Sequence, residues 1–572
     1  MSKTAWVFIG LAVCVLVLPV PLTAATFTVV TTADAGPGSL RDAIIAANAN
    51  PGNDLIDFAL GPPGSHTIMP LSALPPLMDP AGVVIDGTTQ PGGAACSQTP
   101  TATILLIEIS GGMAGPAAGL WVGSDNNVIQ GLVINDFQMD GILIEGGSLG
   151  PSANFNVVEC CFIGTDRLGN VPVGNGTGFA ALFAGVRIKN VPGGIAIENR
   201  VQNCLISANY AEGVAIWGPM VPGDVGMNHV LMNYIGTDVT GTVDLGNLHE
   251  GVAMVEGTHD NQVHENLISG NDYDGVGIQG FNNIGFGPPI LTVNNIVSLN
   301  IIGLDVNLNP LPNSMHGVAI GTYGPNFWGC ADANTIANNT IAENGKDGIY
   351  VWEDGVDNTN ADHNLISQNS IYDNAELGID LQSDGVTPND PSDLDVRGNE
   401  EMNFPVILSA SNVSGTTTVT GTLDTPSPEL STVEVFRARL DPTGYGEGET
   451  YLGSTAPDAV GSWSIAVTGV AVGDSVTATA RDQSSNTSEF SESVVVTGQS
   501  CCVGTRGDVN GDGNDLDIVD LTCVVDFLFG NGCVQPCAPE ADVNGDGSVS
   551  DIVDLTFIVD WLFGTAPTLV SC

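Results

Sequence analysis

Two short segments near the C-terminus repeat one spacing of oxygen-bearing side chains: Asp508-Val509-Asn510-Gly511-Asp512-Gly513 and Asp542-Val543-Asn544-Gly545-Asp546-Gly547. Side chains at the first, third and fifth positions of such a turn converge on one point when a glycine at the sixth permits the sharp reversal. A hard dication taking roughly six to eight oxygens suits that point, so calcium is the expected cofactor. Asp520 and Asp554 would close the loops from the start of a following helix, with the main-chain carbonyls of Asn514 and Ser548 at the seventh position. The expected metal ligands are therefore Asp508, Asn510, Asp512, Asn514 and Asp520 in one loop, and Asp542, Asn544, Asp546, Ser548 and Asp554 in the other. An acidic surface loop with no ion would not require this paired register.

Other residues with chemical potential are dispersed. Arg187-Ile188-Lys189 resembles the Arg-Ile-Lys segment of polygalacturonases, but that family's paired-Asp and Gly-His-Gly motifs are missing, so the likeness stops at three residues. Strand alternation predicts that the two cations face outward as solubilising charges. His229, His249, His259, His264, His316 and His363 show no metal-ligand spacing, and Asp272 and Asp274 read as exposed, generic acids. No catalytic residue is nominated.

The elements that would hold the oxygen ligands are two helices. Leu521 to Gly530 and Leu555 to Gly564 carry apolar residues three and four apart and each ends in glycine. Two near-identical loop-helix halves, joined by a linker holding Cys533 and Cys537, resemble a type I dockerin duplication over about 506–564. The loops depart from an EF-hand loop of about 12 residues ending in Glu, because they are one residue longer and end in Asp, a dockerin habit. The resemblance implies docking to a cohesin-like protein or cell-surface scaffold. The surrounding cysteines are unusual for a dockerin, and an autonomous calcium-stapled tail is the plainer reading.

Upstream, a Gly-apolar-x-apolar phrase recurs at Gly141, Gly185, Gly213, Gly251, Gly275, Gly317, Gly348 and Gly378, interleaved with Asn-rich phrases such as Asn266-Leu267-Ile268-Ser269-Gly270-Asn271. Each phrase alternates apolar and polar residues, predicting a short strand with one buried face, and Asn and Gly between strands should supply left-handed turns. Short strands repeating every few tens of residues describe a solenoid. An insertion recurs at Ile163-Gly164-Thr165-Asp166, Ile235-Gly236-Thr237-Asp238 and Ile302-Gly303-Leu304-Asp305. Ser39 to Ala49, with Leu40, Ala43, Ile44 and Ala47 as an apolar stripe, is expected to form a helix capping the exposed N-terminal end of the core. The opening Thr32–Ile44 and the closing Leu377–Pro405 resemble exported right-handed parallel β-helix proteins of the pectin-lyase-like superfamily. From Phe404 to about Val496 the texture changes to alternating Thr and Val with Trp463 in a strand, predicting an immunoglobulin-like β-sandwich, read as a spacer.

The fold class expected is thus mainly β: a signal peptide over 1–25, a right-handed parallel β-helix with N-terminal cap over 26–403, an immunoglobulin-like β-sandwich over 404–498, and a small α-helical dockerin-like module over 499–572. Lys3, the apolar run Trp6 to Leu18 and Thr23-Ala24-Ala25 predict export to the extracellular space or cell surface, without membrane insertion after cleavage. Twelve Lys and Arg against 64 Asp and Glu, net −52, disfavour nucleic acid and anionic membrane surfaces as partners. Cys501, Cys502, Cys523, Cys533, Cys537 and Cys572 read as disulfide staples of the tail, Cys204 and Cys330 as free thiols, and Cys160-Cys161 as ambiguous. A β-helix with such a tail is expected to bind or process an extracellular polysaccharide, as a lyase or glycoside hydrolase if it is an enzyme. The alternative is a non-enzymatic adhesin or structural solenoid, which the absence of a cleft of converging carboxylates and cations would favour.

Overall fold

The protein is described here from a computed structural model covering residues 23–571, except 94–95, 97–99, 101–103, 179–182, 219–222, 281–289, 322–330, 354–360, 383–384, 414, 499–501, 503–504, 515, 531, 534, 536 and 565–567. The expected signal segment before Thr23, together with Cys330, Cys501 and Cys572, lies outside the described residues. No helix among the described residues is long and apolar enough to cross a membrane.

A parallel β-helix forms as expected. Successive coils contribute to three parallel sheets of 11, 10 and nine strands, the first running from Thr26–Val29 to Leu365–Ser367 and the second from His66–Ile68 to Ser370–Tyr372. The third runs from Leu120–Val122 to Ile379–Leu381 and contains every recurring Gly-apolar phrase from Gly141 onward. Inward side chains stack in columns, as with Val201, Val230, Val263, Val297 and Ile336, all fully buried. The phrase glycines are fixed by crowding: a Cβ on Gly213 would stand 2.7 Å from the Gly251 carbonyl and 2.8 Å from the Asn247 amide. The third-sheet strands are not buried on one face only, since Val214–Trp217, Val252–Val255 and Val276–Gln279 bury their first three residues on both faces.

Several asparagines take left-handed backbone as expected (Asn126, Asn203, Asn294 and Asn338), but most of those in the buried turns do something else. In Glu198-Asn199, Met227-Asn228, Asp260-Asn261, Ala333-Asn334 and His363-Asn364, the left-handed residue is the one before the asparagine. The asparagine itself joins a ladder: the backbone N–H and Nδ2 of Asn228 both donate to Asn261 Oδ1, at 3.0 and 3.1 Å, and the pattern continues through Asn295, Asn334 and Asn364. Two further ladders run through Asn233, Asn266, Asn300, Asn339 and Asn369, and through Asn175, Asn209, Asn247, Asn271, Asn313, Asn344 and Asn374. These bonds satisfy turn amides that the solenoid buries, offsetting roughly 1–2 kcal/mol of left-handed backbone strain per coil. Cys161 and Cys204 are buried free thiols that take ladder positions, Cys204 N–H donating to Asn233 Oδ1. Cys160 bridges Cys96, resolving the ambiguous pair.

The recurring insertions are small hairpins closed by Thr165–Pro172, Thr237–Asp244 and Leu304–Pro310 bridges. In each, one aspartate (Asp166, Asp238 or Asp305) accepts backbone amides from the far side of the turn. The N-terminal cap is the helix Leu40–Ala49, with Ser39 accepting from Asp42 N–H and Leu40, Ala43, Ile44 and Ala47 buried.

The C-terminal end of the solenoid is covered by part of the region read as a spacer. Thr432–Arg439, Glu447–Thr455 and Ser475–Arg481 lie in one four-stranded sheet, and Phe436 and Phe490 join the solenoid core. Three buried glutamates receive the last coil's free donors: Glu434 from Ser367 Oγ and Gln368 N–H, Glu447 from Asn374, and Glu489 from Leu381 N–H and Thr387. Burial lifts the Glu447 carboxyl to about 7 and that of Glu489 to about 8. A second four-stranded sheet comprises Ser462–Val467, Thr416–Thr422, Val406–Val413 and Thr497–Gly498, so the region supplies two four-stranded sheets, the strand complement expected of an immunoglobulin-like domain.

The tail has its own small core of Val509, Leu516, Cys523, Val524, Ala541, Val543 and Ile558. Its helices are Ile518–Phe529 and Ile552–Phe563, each opened by a capping box (Asp517 with Asp520, Asp551 with Asp554) and ended by Gly530 or Gly564. Cys523 bridges Cys533, and Cys502 and Cys537 are also disulfide-bonded.

Candidate functional site

The third sheet carries a trough on its outer face, and its geometry follows from the parallel register. Residues two after each phrase glycine form one column along the sheet: Arg187, Ala215, Ala253, Gly277, Ala319 and Tyr350. Four of these are Ala or Gly, so for four coils the floor has almost no side chain. Ala215, Ala253 and Ala319 are themselves 0, 2 and 6 % exposed, so this column is largely covered and borders open space at the cavity beside Ala253. The residue immediately before each glycine forms one edge, with Glu212, Glu250, Asp274, His316 and Asp347 on successive coils, held in step by bonds such as Gly213 N–H to Glu250 O and Gly251 N–H to Asp274 O. Trp217, Val255 and Gln279 form the other edge.

At its centre is a cavity of about 300 Å³ lined by Glu212, Trp217, His249, Glu250, Tyr273 and Gln279. Glu212, His249 and Glu250 bring one oxygen or nitrogen each to within 4.8 Å of one another. His249 Nδ1 lies 3.7 Å from Glu250 Oε2, and the imidazole stacks on Tyr273 with centroids 5.9 Å apart. The neighbouring Glu250 carboxylate raises the His249 pKa against the opposing effect of burial. Burial raises the Glu212 carboxyl, with Arg187 pulling it down and Glu250 pushing it up.

Arg187 corrects the expectation of an outward solubilising charge. It is 4 % exposed, donates through Nε to Asp140 Oδ1 at 2.9 Å, lies 3.7 Å from Glu212 through Nη2, and stacks at 4.3 Å over the Trp217 ring. The side chains of Asp140, Glu212 and Trp217 enclose it on the outer face, so period-two alternation does not mean exposure. Lys189 is half-buried and pairs with Glu145 at 2.9 Å. Asp274, read as an exposed generic acid, is likewise buried, and burial lifts its carboxyl to about 7. Asp272 is exposed as expected. His316, another buried edge residue, stacks on Tyr350 at 4.5 Å and sits 3.0 Å from Asp347. His259 bonds Asp260 and Asp224, and His264 bonds Ser298 and lies 3.6 Å from Glu265.

The sequence carried a usable signal for this trough. Extending the glycine phrases one residue upstream reveals Glu212-Gly213, Glu250-Gly251, Asp274-Gly275, His316-Gly317 and Asp347-Gly348, a periodic column of titratable groups. What it did not carry was the convergence of His249, which lies outside the phrase.

In the duplicated tail loops, Asp508 accepts from Asp512 and Gly513 N–H, both at 2.9 Å, and Asp542 accepts from Asp546 and Gly547 N–H, both at 3.1 Å. Asp520 and Asp554 reach back to Asn510 N–H (3.1 Å) and Asn544 N–H (3.2 Å). Asn514 and Ser548 donate their N–H groups to Asp512 and Asp546. The ten residues thus fold into two equivalent closed turns. Arg506 also pairs with Asp542. A second acidic group among the described residues joins Asp390, Asp393 and Asp395 in the closing stretch.

No family model matches the chain, and no curated protein matches it by sequence. Three solved structures are similar at low levels. The A-module of the mannuronan C-5 epimerase AlgE6 of Azotobacter vinelandii has a TM-score of 0.33 and 16% identity, over 61% of this chain and 77% of that one. The catalytic unit of a GH87 alpha-1,3-glucanase from Streptomyces thermodiastaticus has a TM-score of 0.29 and 12% identity, over 62% and 70%. The Agl-KA catalytic domain has a TM-score of 0.27 and 13% identity, over 58% and 59%. Likeness at this level carries no inference about activity, and the parallel β-helix stands on the strand pairing of this chain itself.

Proposed function

We propose that this chain is an exported protein that binds or processes an extracellular polysaccharide along the third-sheet trough and is tethered through its calcium-dependent, dockerin-like tail. The observation that carries the reading is the trough itself, with a side-chain-poor floor, the aromatic rings of Trp217 and Tyr273, and the Glu212, Glu250 and His249 side chains converging on one cavity. Aromatic rings give sugar rings an apolar platform while flanking polar groups orient hydroxyls. A structural solenoid or adhesin requires no such convergence. Arg187 is held by Asp140 and by Trp217, which speaks against its use as the free base of a uronate lyase. With a net charge of −52 and an acidic trough edge, uncharged glycans are expected to bind better than polyuronates.

The tail loops support calcium through their donor set: each offers oxygens at positions one, three and five, with a carboxylate returning from the next helix. Asn510 and Asn544 both bury an Nδ2 with no partner, the same atom in each turn, as expected if the paired amide oxygens serve a common ligand. Ordered by the ion, the two helices would present their exposed Ile518, Val519, Phe529, Ile552, Val553 and Phe563 to a cohesin-like or scaffold partner.

The test is a panel of neutral glycans and uronans offered to the full-length protein, with binding and product release measured for the wild type and for Tyr273→Ala. Retention of a neutral glycan that the variant loses supports the reading, and neither binding nor release across the panel refutes it. Capture of a cell-surface partner that chelator abolishes supports the tether, and capture indifferent to chelator refutes it.

A further inference from the structure

We infer that Glu212, His249 and Glu250 form a binding site for one first-row transition-metal dication of the zinc class, opening into the third-sheet cavity. Two carboxylates and an imidazole are a borderline-soft donor set, distinct from the oxygen-only turns of the tail. Three protein ligands beside a cavity leave a coordination position open to water or another small oxygen ligand.

The distances are close to what such an ion needs. Metal–ligand bonds of about 2.0–2.2 Å put neighbouring ligand atoms roughly 3.3 Å apart in a tetrahedral site. His249 Nδ1 and Glu250 Oε2 already stand 3.7 Å apart, and all three donor atoms lie within 4.8 Å of one another. The remaining closure falls to His249, whose side chain is 37 % exposed, whereas both carboxylates are buried at 9 %.

An independent observation points to a missing ligand. Glu212 is 7 % exposed and lines the cavity, yet its buried Oε2 accepts no hydrogen bond. The nearby cation, Arg187 Nη2, stands at 3.7 Å, beyond hydrogen-bond reach, while Arg187 Nε is committed to Asp140 and its guanidinium to the Trp217 ring. Glu212 Oε2 thus has a distant ion-pair partner but no hydrogen bond, and a buried carboxylate oxygen without one costs about 1–3 kcal/mol, which a coordinated ion would remove. The parallel register adds to the demand, because Glu212, Glu250 and Asp274 stack on consecutive coils about 4.8 Å apart, where like charges repel. Among the described residues, His249 is the imidazole grouped with the first two.

This site goes beyond glycan recognition and stands whether or not the trough holds a sugar. The test uses the full-length protein, stripped with chelator and titrated with Co²⁺ alone in calcium-saturated buffer, so that the tail loops are filled. The expected result is one equivalent of Co²⁺ with the visible absorption bands of an imidazole-ligated ion, displaced by Zn²⁺. His249→Ala and Glu212→Gln should each abolish those bands with unchanged circular dichroism, while His259→Ala and Asp508→Ala should leave them intact. Glu250→Gln serves as a second ligand variant should Glu212→Gln fail to fold. Bands that persist in His249→Ala, or a wild type that takes up no cobalt, would overturn the assignment.

Discussion

Replacing Arg187 by Met tests the reading of the trough as a built, charge-balanced site. In the native protein Asp140 is 2 % exposed and accepts two bonds, from Arg187 Nε at 2.9 Å and Ala184 N–H at 2.8 Å. Methionine matches much of the arginine stem but leaves Asp140 as a buried carboxylate without its cation. Removing one partner of a buried ion pair destabilises by about 3–5 kcal/mol. The carboxylate has an escape, which is to take up a proton. For a group with an ordinary pKa near 3.9, that costs about 4 kcal/mol at pH 7 but only about 1.5 kcal/mol at pH 5, at about 1.4 kcal/mol per unit. Loss of the stack on Trp217 adds about 1 kcal/mol independent of pH. The variant is therefore expected to lose about 5 kcal/mol at pH 7 and roughly half of that at pH 5. Adding Asp140→Asn, which keeps an acceptor for Ala184 N–H without a charge, should recover most of the loss at pH 7. Equilibrium urea unfolding of the full chain, followed by far-ultraviolet circular dichroism at both pH values, measures each difference against the wild type. A loss under about 1 kcal/mol, or an equal loss at both pH values, would show that Arg187 is not balancing a buried charge.

Three further outcomes are expected. Asn300→Ala removes the acceptor for Asn266 N–H and the donor to Val263 O, and should cost about 3 kcal/mol in the same unfolding assay, whereas alanine at the exposed Asn170 should cost under about 0.5. Glu447 and Glu489, with carboxyls raised to about 7 and about 8, hold protons in the folded state that the unfolded chain gives up near pH 4.3, so their contribution is fully present at low pH and fades as pH rises through 7 to 8. The β-helix unit should accordingly melt at higher temperature at pH 5.5 than at pH 8.5, with Glu489→Gln flattening the trend; a wild-type profile that rises with pH would contradict it. Finally, chelator should lower the melting temperature of the tail transition and calcium restore it, and Asp508→Ala with Asp542→Ala should abolish the response, as read by calorimetry of the full chain.

Much of this molecule can be read from residue order because its interactions are local or periodic. The solenoid was legible in the glycine and asparagine phrases, since a parallel coil places equivalent residues of every repeat in one column. The cap helix was legible from Ser39 and the stripe Leu40, Ala43, Ile44 and Ala47, and both tail helices from their apolar spacing and closing glycines, whereas their capping aspartates emerged only in the structure. The roles of individual residues were harder. Asparagine is the common left-handed residue in isolation, and Asn126, Asn203, Asn294 and Asn338 take that conformation here, but a ladder asparagine commits its amide to the stack and the residue before it, such as Glu198, Met227 or Ala333, takes the strained conformation.

What residue order alone determined is therefore the repeat, the elements and the oxygen-rich turns, all set by propensity and spacing along the chain. Tertiary structure alone decided that Arg187 is buried, that Glu212, His249 and Glu250 meet, and that Glu434, Glu447 and Glu489 close the solenoid's last coil. Those facts depend on which coil lies over which and on what overlies the outer face. Burial, and the charge balance that burial demands, belong to the packed molecule rather than to any stretch of its sequence.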